Sequence, residues 1–226
     1  MGHTGVTAIE IVEDFTSSGK CDEGFLHVRR LRVRNRRPDG TASIVYRVDV
    51  IDRPKLDAVA VLVWRTRIDG VREFLTRLNL RPAAFFRKDR TPVLPDGKSN
   101  LFCEEIVAGL LENEDHGEAG LLLRAAIEVR EEGGFTVEPH RIGRLGPAFF
   151  VAPGILSEKI YLCAVDVTGL TQHEARGDGS PLEEGGELFW RTEDELTARL
   201  RSGEITDAKT EMALSRLRAN AYKAQP

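Results

Sequence analysis

The sequence predicts an α/β protein, a sandwich in which a mixed β-sheet lies between helices. Residues 57–64 form an almost continuous apolar, β-branched run, which is typical of a strand buried on both faces. Leu121 to Val129 form an apolar helical run that stops at two glycines, 133 and 134. Residues 193–201 and 207–219 also have helical spacing and follow further strands. Strands with helices before and after them fit a layered α/β domain.

Composition describes an ordinary soluble globular protein. The chain has 226 residues, of which 41% are hydrophobic and 30% charged, and a net charge of -4, which gives no electrostatic footprint for general nucleic-acid binding. No apolar run approaches the roughly 18 residues that a membrane helix needs. The N terminus lacks the basic and apolar regions of a signal peptide. We therefore expect a cytoplasmic protein that binds neither nucleic acid nor membrane.

Neither the cysteines nor the N-terminal arginines indicate a site by themselves. Cys21, Cys103 and Cys163 are odd in number and widely separated, so we expect buried small hydrophobic residues rather than a disulfide framework or a zinc site. Six arginines lie between positions 29 and 37 and alternate with other residues over part of that segment. This alternation favours the solvent face of a β-strand, and a polyanion site is the alternative.

The N-terminal part predicts two β units. Alternating residues 25–35 and 41–51 flank a Pro-Asp-Gly turn and predict a hairpin. Two or three strands alone cannot bury enough apolar surface, so this hairpin must pack on the main domain or on another subunit. The buried strand 57–64 has a predicted partner in residues 72–80. We divide the chain into a hairpin unit, residues 1–55, and a main domain, residues 56–226.

The remaining segments alternate between strands and loops. We expect a surface excursion at 86–99, a strand at 102–107, an apolar segment at 141–152, a strand at 159–167, a polar Gly-rich loop at 172–186 and a short strand at 188–191. In the strand at 159–167, the candidates for inward-facing residues are Ile160, Leu162, Ala164 and Val165. The loop at 172–186 is of the mobile kind that closes over a ligand.

Three glutamates on the predicted helix are candidate metal ligands. Glu128, Glu131 and Glu132 are spaced i, i+3, i+4 and therefore share one helix face, with Cβ atoms about 5 to 6 Å apart. Repulsion between these carboxylates costs roughly a few tenths of a kcal/mol per pair. Either solvent or a bound cation can relieve it. Hard oxygen ligands suit Mg²⁺ or Mn²⁺ and not zinc. The residues alone leave a solvated acidic face and a cation site both open.

The stretch from Gly109 to Phe135 resembles the Nudix box of the Nudix hydrolases. Gly109 fits the start of the box, and residues 128–135 fit its end residue for residue. Ile127 stands where the box has arginine, and extra residues in the middle leave Asp115 as the only acid that follows Gly109 after five residues. Arg124, one turn before Glu128, is our candidate to supply the missing positive charge.

This resemblance implies an α/β/α sandwich and a bound divalent cation, Mg²⁺ or Mn²⁺. It assigns the metal to the carboxylates of Glu128, Glu131 and Glu132 and to the backbone carbonyl of Ala108. In that chemistry, metal ions neutralise phosphate oxygens and help to generate hydroxide from water.

Beyond the box, the likeness covers roughly residues 47–217. These residues resemble the ADP-ribose pyrophosphatase branch of the family. Sugar-nucleotide pyrophosphatases share the same features. The matching segments are 104–109, 153–158 and 203–208. The resemblance implies hydrolysis of a nucleoside diphosphate linked to another group, such as ADP-ribose or a nucleotide sugar, to two monophosphates. It also implies a homodimer that exchanges the N-terminal β unit.

The same likeness assigns substrate-binding and catalytic residues. Arg47, Arg81 and Glu105 are expected at the substrate, although an ordinary salt bridge is the alternative interpretation of each arginine. The branch carries its catalytic base on the loop after the box, here residues 181–188. Our candidate is Glu184, and Glu183 and Glu187 are the alternatives.

An alternative hypothesis is that the protein has this fold but acts as a regulatory module, which binds a nucleotide and hydrolyses it weakly or not at all. Ile127 and the irregular middle of the box motivate it. Metal-dependent turnover distinguishes the two hypotheses.

Overall fold

A computed structural model describes residues 24–95, 97–177 and 179–223, and Cys21 lies outside these ranges. The elements in the described residues are the strands β1 (His27–Val33), β2 (Tyr46–Asp52), β3 (Ala58–Thr66), β4 (Arg72–Leu80), β5 (Phe102–Glu105), β6 (Val107–Leu110), β7 (Gly143–Arg144), β8 (Phe149–Phe150), β9 (Lys159–Asp166) and β10 (Leu188–Thr192), and the helices α1 (Pro82–Phe85), α2 (Gly117–Gly133), α3 (Glu193–Ser202) and α4 (Ala208–Lys223).

Strand β3 is the centre of the main sheet. The strands of this sheet lie in the order β10, β4, β3, β9, β7, with β5 paired to β4, β6 to β3 and β8 to β9. β3 runs antiparallel to β4 and parallel to β9, so the sheet is mixed. Every residue of β3 from Ala58 to Val63 is buried. The predicted buried strand and its predicted partner are both confirmed.

The two faces of β3 belong to different apolar cores because its side chains alternate. Val59, Val61 and Val63 pack in one core with residues of α2, including Leu121 and Val129. Ala60 and Leu62 pack in the other core with Leu196 of α3 and Leu214 of α4. One helix therefore covers one face of the sheet and two helices cover the other, which confirms the predicted α/β/α sandwich.

β3 and β4 pair only over a short distance and then diverge. Their direct pairing covers Trp64 to Thr66, after which β4 pairs with β5 and β3 pairs with β6. The prediction of one strand at 102–107 was wrong in this respect. The backbone N–H of Ile106 donates to Thr210 Oγ1 at 3.1 Å instead of to a neighbouring strand, and this divides the segment between two partners. Among the described strands, β6 pairs with β3 alone, and its other edge, which we call the free edge, faces α2.

The predicted N-terminal hairpin is confirmed. β1 and β2 pair antiparallel from His27 opposite Asp52 to Val33 opposite Tyr46 and form a separate two-stranded sheet. The hairpin joins the main domain near residues 155–158, where the backbone N–H of Ile51 donates to the carbonyl of Ile155 at 2.8 Å. Two further polar contacts follow in the chain, from Ser157 to Asp52 and from Arg53 to Glu158.

Other predictions on burial have a mixed outcome. Ile160, Leu162 and Val165 of β9 are buried as expected, whereas Ala164 is only half-buried. Cys163 is buried. Cys103 is half-buried, so the expectation of a fully buried residue was wrong there, because this residue lies at the end of the sheet where β5 meets the last residues of β4. Among the helices described, none is long and apolar enough to cross a bilayer.

A buried ion-pair network ties the sheet to the layer of α3 and α4. The Glu104 side chain is 3% exposed and accepts hydrogen bonds from Thr76 Oγ1 at 2.6 Å and Arg191 Nε at 2.8 Å. Arg199 NH2 lies 3.0 Å from its second oxygen. Burial alone would raise the pKa of Glu104, but the bonds from Arg191 and Thr76 outweigh it and hold that pKa below its ordinary value.

We expect Glu104→Ala to lower the free energy of unfolding by about 3 to 5 kcal/mol, because it leaves two arginines beside a buried site without their carboxylate. Glu193→Ala is the matched control, since Glu193 pairs with Arg218 at 2.7 Å in a partly exposed position and such pairs contribute about 0 to 1 kcal/mol. Urea unfolding of both variants measures the difference. Equal losses for the two variants would contradict a stabilising role of the buried network.

Candidate functional site

Helix α2 carries the three predicted metal-ligand glutamates. The helix, predicted from Leu121, begins four residues earlier at Gly117. It ends at Gly133 and is capped by Gly134, which has a φ of 76° and whose backbone N–H donates to the carbonyl of Arg130 at 3.2 Å. Glycine is favoured at this position because L-residues with a side chain rarely adopt a positive φ. A Cβ at Gly134 would also overlap the carbonyl oxygen of His173.

Glu128 lies directly against the backbone of β6. A Cβ built at Gly109 would overlap the carboxylate of Glu128. The φ of Gly109 is not positive, so glycine is needed here for the close approach of the helix side chain and not for an unusual backbone conformation. Gly109, at the start of the box-like segment, and Glu128, the first glutamate at its end, therefore contact each other.

Glu132 makes the second contact between α2 and β6. Its Oε2 accepts a hydrogen bond from the backbone N–H of Ala108 at 2.9 Å. In an antiparallel strand, the N–H and C=O of one residue point to the same side. The carbonyl of Ala108 therefore points toward α2 as well, while β6 pairs with β3 along its other edge.

Burial raises the pKa of Glu132 to about 6. The N–H of Ala108 and the charge of Arg77, whose NH1 lies 3.2 Å from Oε1, act in the opposite direction but do not cancel the cost of burial. Glu183 adds to the rise because its negative charge is close. The arrangement is thus short of positive charge at Glu132.

Glu131 differs from the other two glutamates. Its side chain is 36% exposed, and its Oε1 lies 3.2 Å from NH2 of Arg130. Among the residues that the structure describes, no three or more His, Cys, Asp or Glu side chains are grouped so that they could hold a metal ion. The predicted ligands therefore share the helix but do not form a closed ligand set. Two carboxylates beside a backbone carbonyl are still the hard oxygen donors that Mg²⁺ and Mn²⁺ prefer.

Arg124 pairs with the acidic loop before the helix. Its Nε donates to Asp115 Oδ2 at 2.8 Å, and the same oxygen accepts the backbone N–H of Glu112 at 2.8 Å. Burial would lower the pKa of Arg124, but Asp115 and then Glu128 raise it above its ordinary value. The charge of Arg124 therefore acts on Glu128 as well, although its direct ion pair is with Asp115.

The loop at 172–186 lies along the C-terminal end of α2. The backbone N–H of His173 donates to the carbonyl of Gly134 at 2.8 Å, and that of Gly177 donates to the backbone carbonyl of Glu131 at 2.9 Å. Gln172 Nε2 donates to the carbonyl of Gly133 at 3.0 Å. Helix-end carbonyls have no partner within the helix, so these bonds satisfy them and place the loop beside the glutamates.

The three loop glutamates predicted as base candidates have different positions. Oε1 of Glu183 lies 3.0 Å from Arg77 NH1, the same atom that contacts Glu132. Glu184 and Glu187 are exposed. The structure therefore brings the Glu183 carboxylate to the helix glutamates, and it gives no such contact to Glu184, our choice from the sequence.

Arg81 and Glu105, predicted at the substrate, pair with each other. Arg81 Nε and NH2 lie 2.6 and 2.8 Å from the two oxygens of Glu105, and Lys209 Nζ lies 3.0 Å from Oε2. Burial would raise the pKa of Glu105, but Arg81 and Lys209 outweigh it and lower that pKa. The Arg81 side chain remains 41% exposed and contributes to the electrostatic environment of Glu132.

Arg47 lies elsewhere in the described chain. It is on β2, directly opposite Arg32, and lines a groove formed by residues of the hairpin alone. Sequence reasoning also missed Arg77, whose side chain is 7% exposed although arginine is seldom fully buried. The signal available in the sequence was a single charged residue between Leu75 and Leu78 in a strand predicted to pair with a buried one.

Comparisons with known proteins support the fold. No family model and no curated protein sequence matches the chain. The crystal structure of an ADP compounds hydrolase is similar, with a TM-score of 0.57 and 15% sequence identity, over 89% of this chain and 95% of that one. At this identity the likeness is evidence of the fold alone, and it agrees with the observed α/β architecture.

We expect the contribution of Glu132 to the stability of the metal-free protein to fall as the pH rises from 4.5 to above 6, because Glu132 has a pKa of about 6 in the folded protein and an ordinary value of 4.5. The folded state then binds the proton more tightly than the unfolded chain, so this contribution is complete below 4.5 and lost above about 6. It amounts to about 2 kcal/mol.

Urea unfolding of wild type and Glu132→Gln in EDTA measures this contribution, since glutamine does not titrate. The stability of wild type relative to the variant should be about 2 kcal/mol lower at neutral pH than in acid below the ordinary glutamate pKa. Parallel profiles of the free energy of unfolding against pH for the two proteins would contradict this prediction, because they would show that Glu132 has the same pKa in the folded and unfolded states.

Proposed function

We propose that this protein hydrolyses a nucleoside diphosphate linked to another group, with ADP-ribose or a nucleotide sugar as substrate, to two monophosphates. The observation that carries the proposal is the double contact of α2 with the free edge of β6. Glu128 lies on Gly109 and Glu132 binds the N–H of Ala108. Two carboxylates therefore lie beside the backbone of Ala108 and Gly109, and with the Ala108 carbonyl they are three of the four donors that the box-like sequence implies for a divalent cation.

The proposed metal ligands are Glu128, Glu131, Glu132 and the carbonyl of Ala108. A bound Mg²⁺ or Mn²⁺ would neutralise phosphate oxygens and lower the pKa of water. The protein contributes the fixed strand edge, the buried carboxylate that is short of positive charge, and a loop carboxylate nearby. Glu131 has more freedom than Glu132, because its side chain is 36% exposed and that of Glu132 is 14% exposed.

Glu183 replaces Glu184 as our proposed general base. A base must lie within reach of the water that it deprotonates, and geometry takes precedence over sequence spacing in choosing it. Glu183 lies on the same guanidinium nitrogen as the metal-ligand candidate Glu132, whereas Glu184 is exposed. Glu187 is exposed too, and its backbone carbonyl accepts the N–H of Leu78 at 2.9 Å, which aligns the loop with β4.

Substrate recognition is proposed on less direct grounds. Arg81 is held by Glu105 with part of its guanidinium exposed, and such a group binds phosphate well because it is always charged. The similar structure is that of an ADP compounds hydrolase, which supports an adenine nucleotide. Arg47 lies on the hairpin, so we propose that it binds substrate only in an assembly that brings the hairpin to a nucleotide site.

That assembly is a proposed homodimer in the cytoplasm, formed through the hairpin unit 1–55, with the nucleotide site in residues 56–226. Ile44, Val45 and Tyr46 at the start of β2 are exposed, Ile44 at 86%, and an exposed apolar segment of this kind favours a protein partner. Light scattering at micromolar concentration tests the dimer, and a mass of 25.1 kDa would contradict it.

A nucleotide-binding module with weak or no turnover is the second candidate. It is favoured by the absence of a closed ligand set among the described residues and by Ile127 in place of the box arginine. Incubation with ADP-ribose or UDP-glucose and Mg²⁺ or Mn²⁺, with phosphatase-coupled release of phosphate, separates the candidates. Turnover abolished by EDTA supports the hydrolase. Nucleotide binding by calorimetry without turnover supports the module. Absence of both turnover and nucleotide binding would contradict both candidates.

We expect Glu183→Gln to lower kcat by about 10² to 10⁴-fold, the range typical of a lost general base, and Glu184→Gln and Glu187→Gln to lower it by less than about tenfold. Steady-state kinetics of the three variants at saturating Mg²⁺ measures this, and glutamine keeps the size of each side chain. A larger loss in Glu184→Gln than in Glu183→Gln would return the assignment to Glu184.

A further inference from the structure

Arg77 connects two elements that carry proposed functional residues. It lies on β4, and its side chain is 7% exposed. Its NH1 lies 3.2 Å from Glu132 Oε1 on α2 and 3.0 Å from Glu183 Oε1 on the loop. One guanidinium nitrogen thus lies between the carboxylates of a helix and a loop that are far apart in the sequence.

The loop is built closely around this contact. Oε2 of Glu183 accepts the backbone N–H of Gly179 at 3.2 Å. A Cβ at Gly177 would overlap the Glu183 carboxylate. At Gly186, a Cβ would approach the carbonyl of Leu78 at 3.1 Å and Arg77 Nε at 3.2 Å. Glycines on both sides of Glu183 therefore let the loop close over its carboxylate and over Arg77.

Charge explains why a cation is required between these groups. Glu183 and Glu132 are both negative when ionised and lie near the same atom, so they repel each other in a largely buried space. An arginine between them offsets that repulsion and has several N–H donors to share. Arg191, which is half-buried, instead pairs with Glu104 of β5 within the sheet.

We propose that Arg77 is a positioning residue that holds the Glu183 loop against the Glu132 face of α2. Its catalytic consequence rests on the proposed function, whereas the hold on the loop does not. Arg77 also competes with a divalent cation for Glu132, because both are positive charges that require the same carboxylate. Loss of Arg77 therefore has two opposite effects: it loosens the loop carboxylate and strengthens metal binding.

The experiment compares Arg77→Met, Arg77→Lys and Arg191→Met. Methionine removes the charge and keeps an unbranched apolar side chain, and lysine keeps one cation between the two carboxylates. Arg191→Met is the control, because it removes a half-buried arginine that pairs with Glu104 at 2.8 Å outside the proposed site. Hydrogen exchange of residues 177–187 in metal-free protein at about pH 8 reports the hold on the loop, and Mn²⁺ titration followed by electron paramagnetic resonance reports metal affinity.

We expect Arg77→Met to increase exchange in 177–187 by about tenfold or more, Arg191→Met to leave it unchanged, and Arg77→Lys to lie between Arg77→Met and wild type. In Arg77→Met, kcat should fall by about tenfold or more while Mn²⁺ binds at least as tightly as in wild type. General damage to the fold would weaken both activity and metal binding, so the opposite directions identify a positioning role.

Unchanged exchange in Arg77→Met, or equal exchange in Arg77→Met and Arg77→Lys, would overturn the proposal. If Arg77→Met does not fold, Glu183→Gln decides, because it weakens the same contact from the loop side and should increase exchange in the same residues. Failure of the proposed function is separate, since it would appear as absence of turnover in wild type while the exchange results still decide the role of Arg77.

Discussion

The close contact between α2 and the free edge of β6 is the constraint on which the candidate site depends. It requires that no side chain stand at Gly109, because the Glu128 carboxylate occupies that space. It also requires the free edge of β6, which exists because β3 and β4 diverge and the backbone turns away at Ile106. Sheet topology and one glycine together bring helix carboxylates to backbone groups of Ala108, a contact that the helix sequence alone would not produce.

Electrostatics then determines how the acidic groups coexist. Glu132 is buried enough for its pKa to rise to about 6, and the Glu183 carboxylate increases that rise. Three sources of positive charge or donated hydrogen bonds act against this rise: the N–H of Ala108 and the guanidinium groups of Arg77 and Arg81. The site is therefore arranged to gain from a further cation, which is the physical argument for a metal-dependent activity.

Much of the fold could be predicted because periodicity and glycines are local signals. The buried strand β3, its partner β4, the N-terminal hairpin and the end of α2 at Gly133 all follow from short segments. The division of residues 102–110 between two partner strands could not, because it depends on the divergence of strands elsewhere. The same limit applies to the site: the spacing of Glu128 and Glu132 was visible, but the choice among three loop glutamates and the position of Arg77 depend on tertiary contacts.

Mn²⁺ binding to Gly109→Ala tests most directly whether the α2–β6 contact is a cation site. The added methyl group must displace Glu128, whereas Gly143→Ala on β7 meets no atom within 4 Å and is the matched control. Free Mn²⁺ can be counted by electron paramagnetic resonance in titrations of wild type and both variants. We predict that Gly109→Ala weakens Mn²⁺ binding by about 10 to 100-fold and that Gly143→Ala binds as wild type does. Equal affinity in all three proteins, or no binding in wild type, would contradict a cation site at this contact.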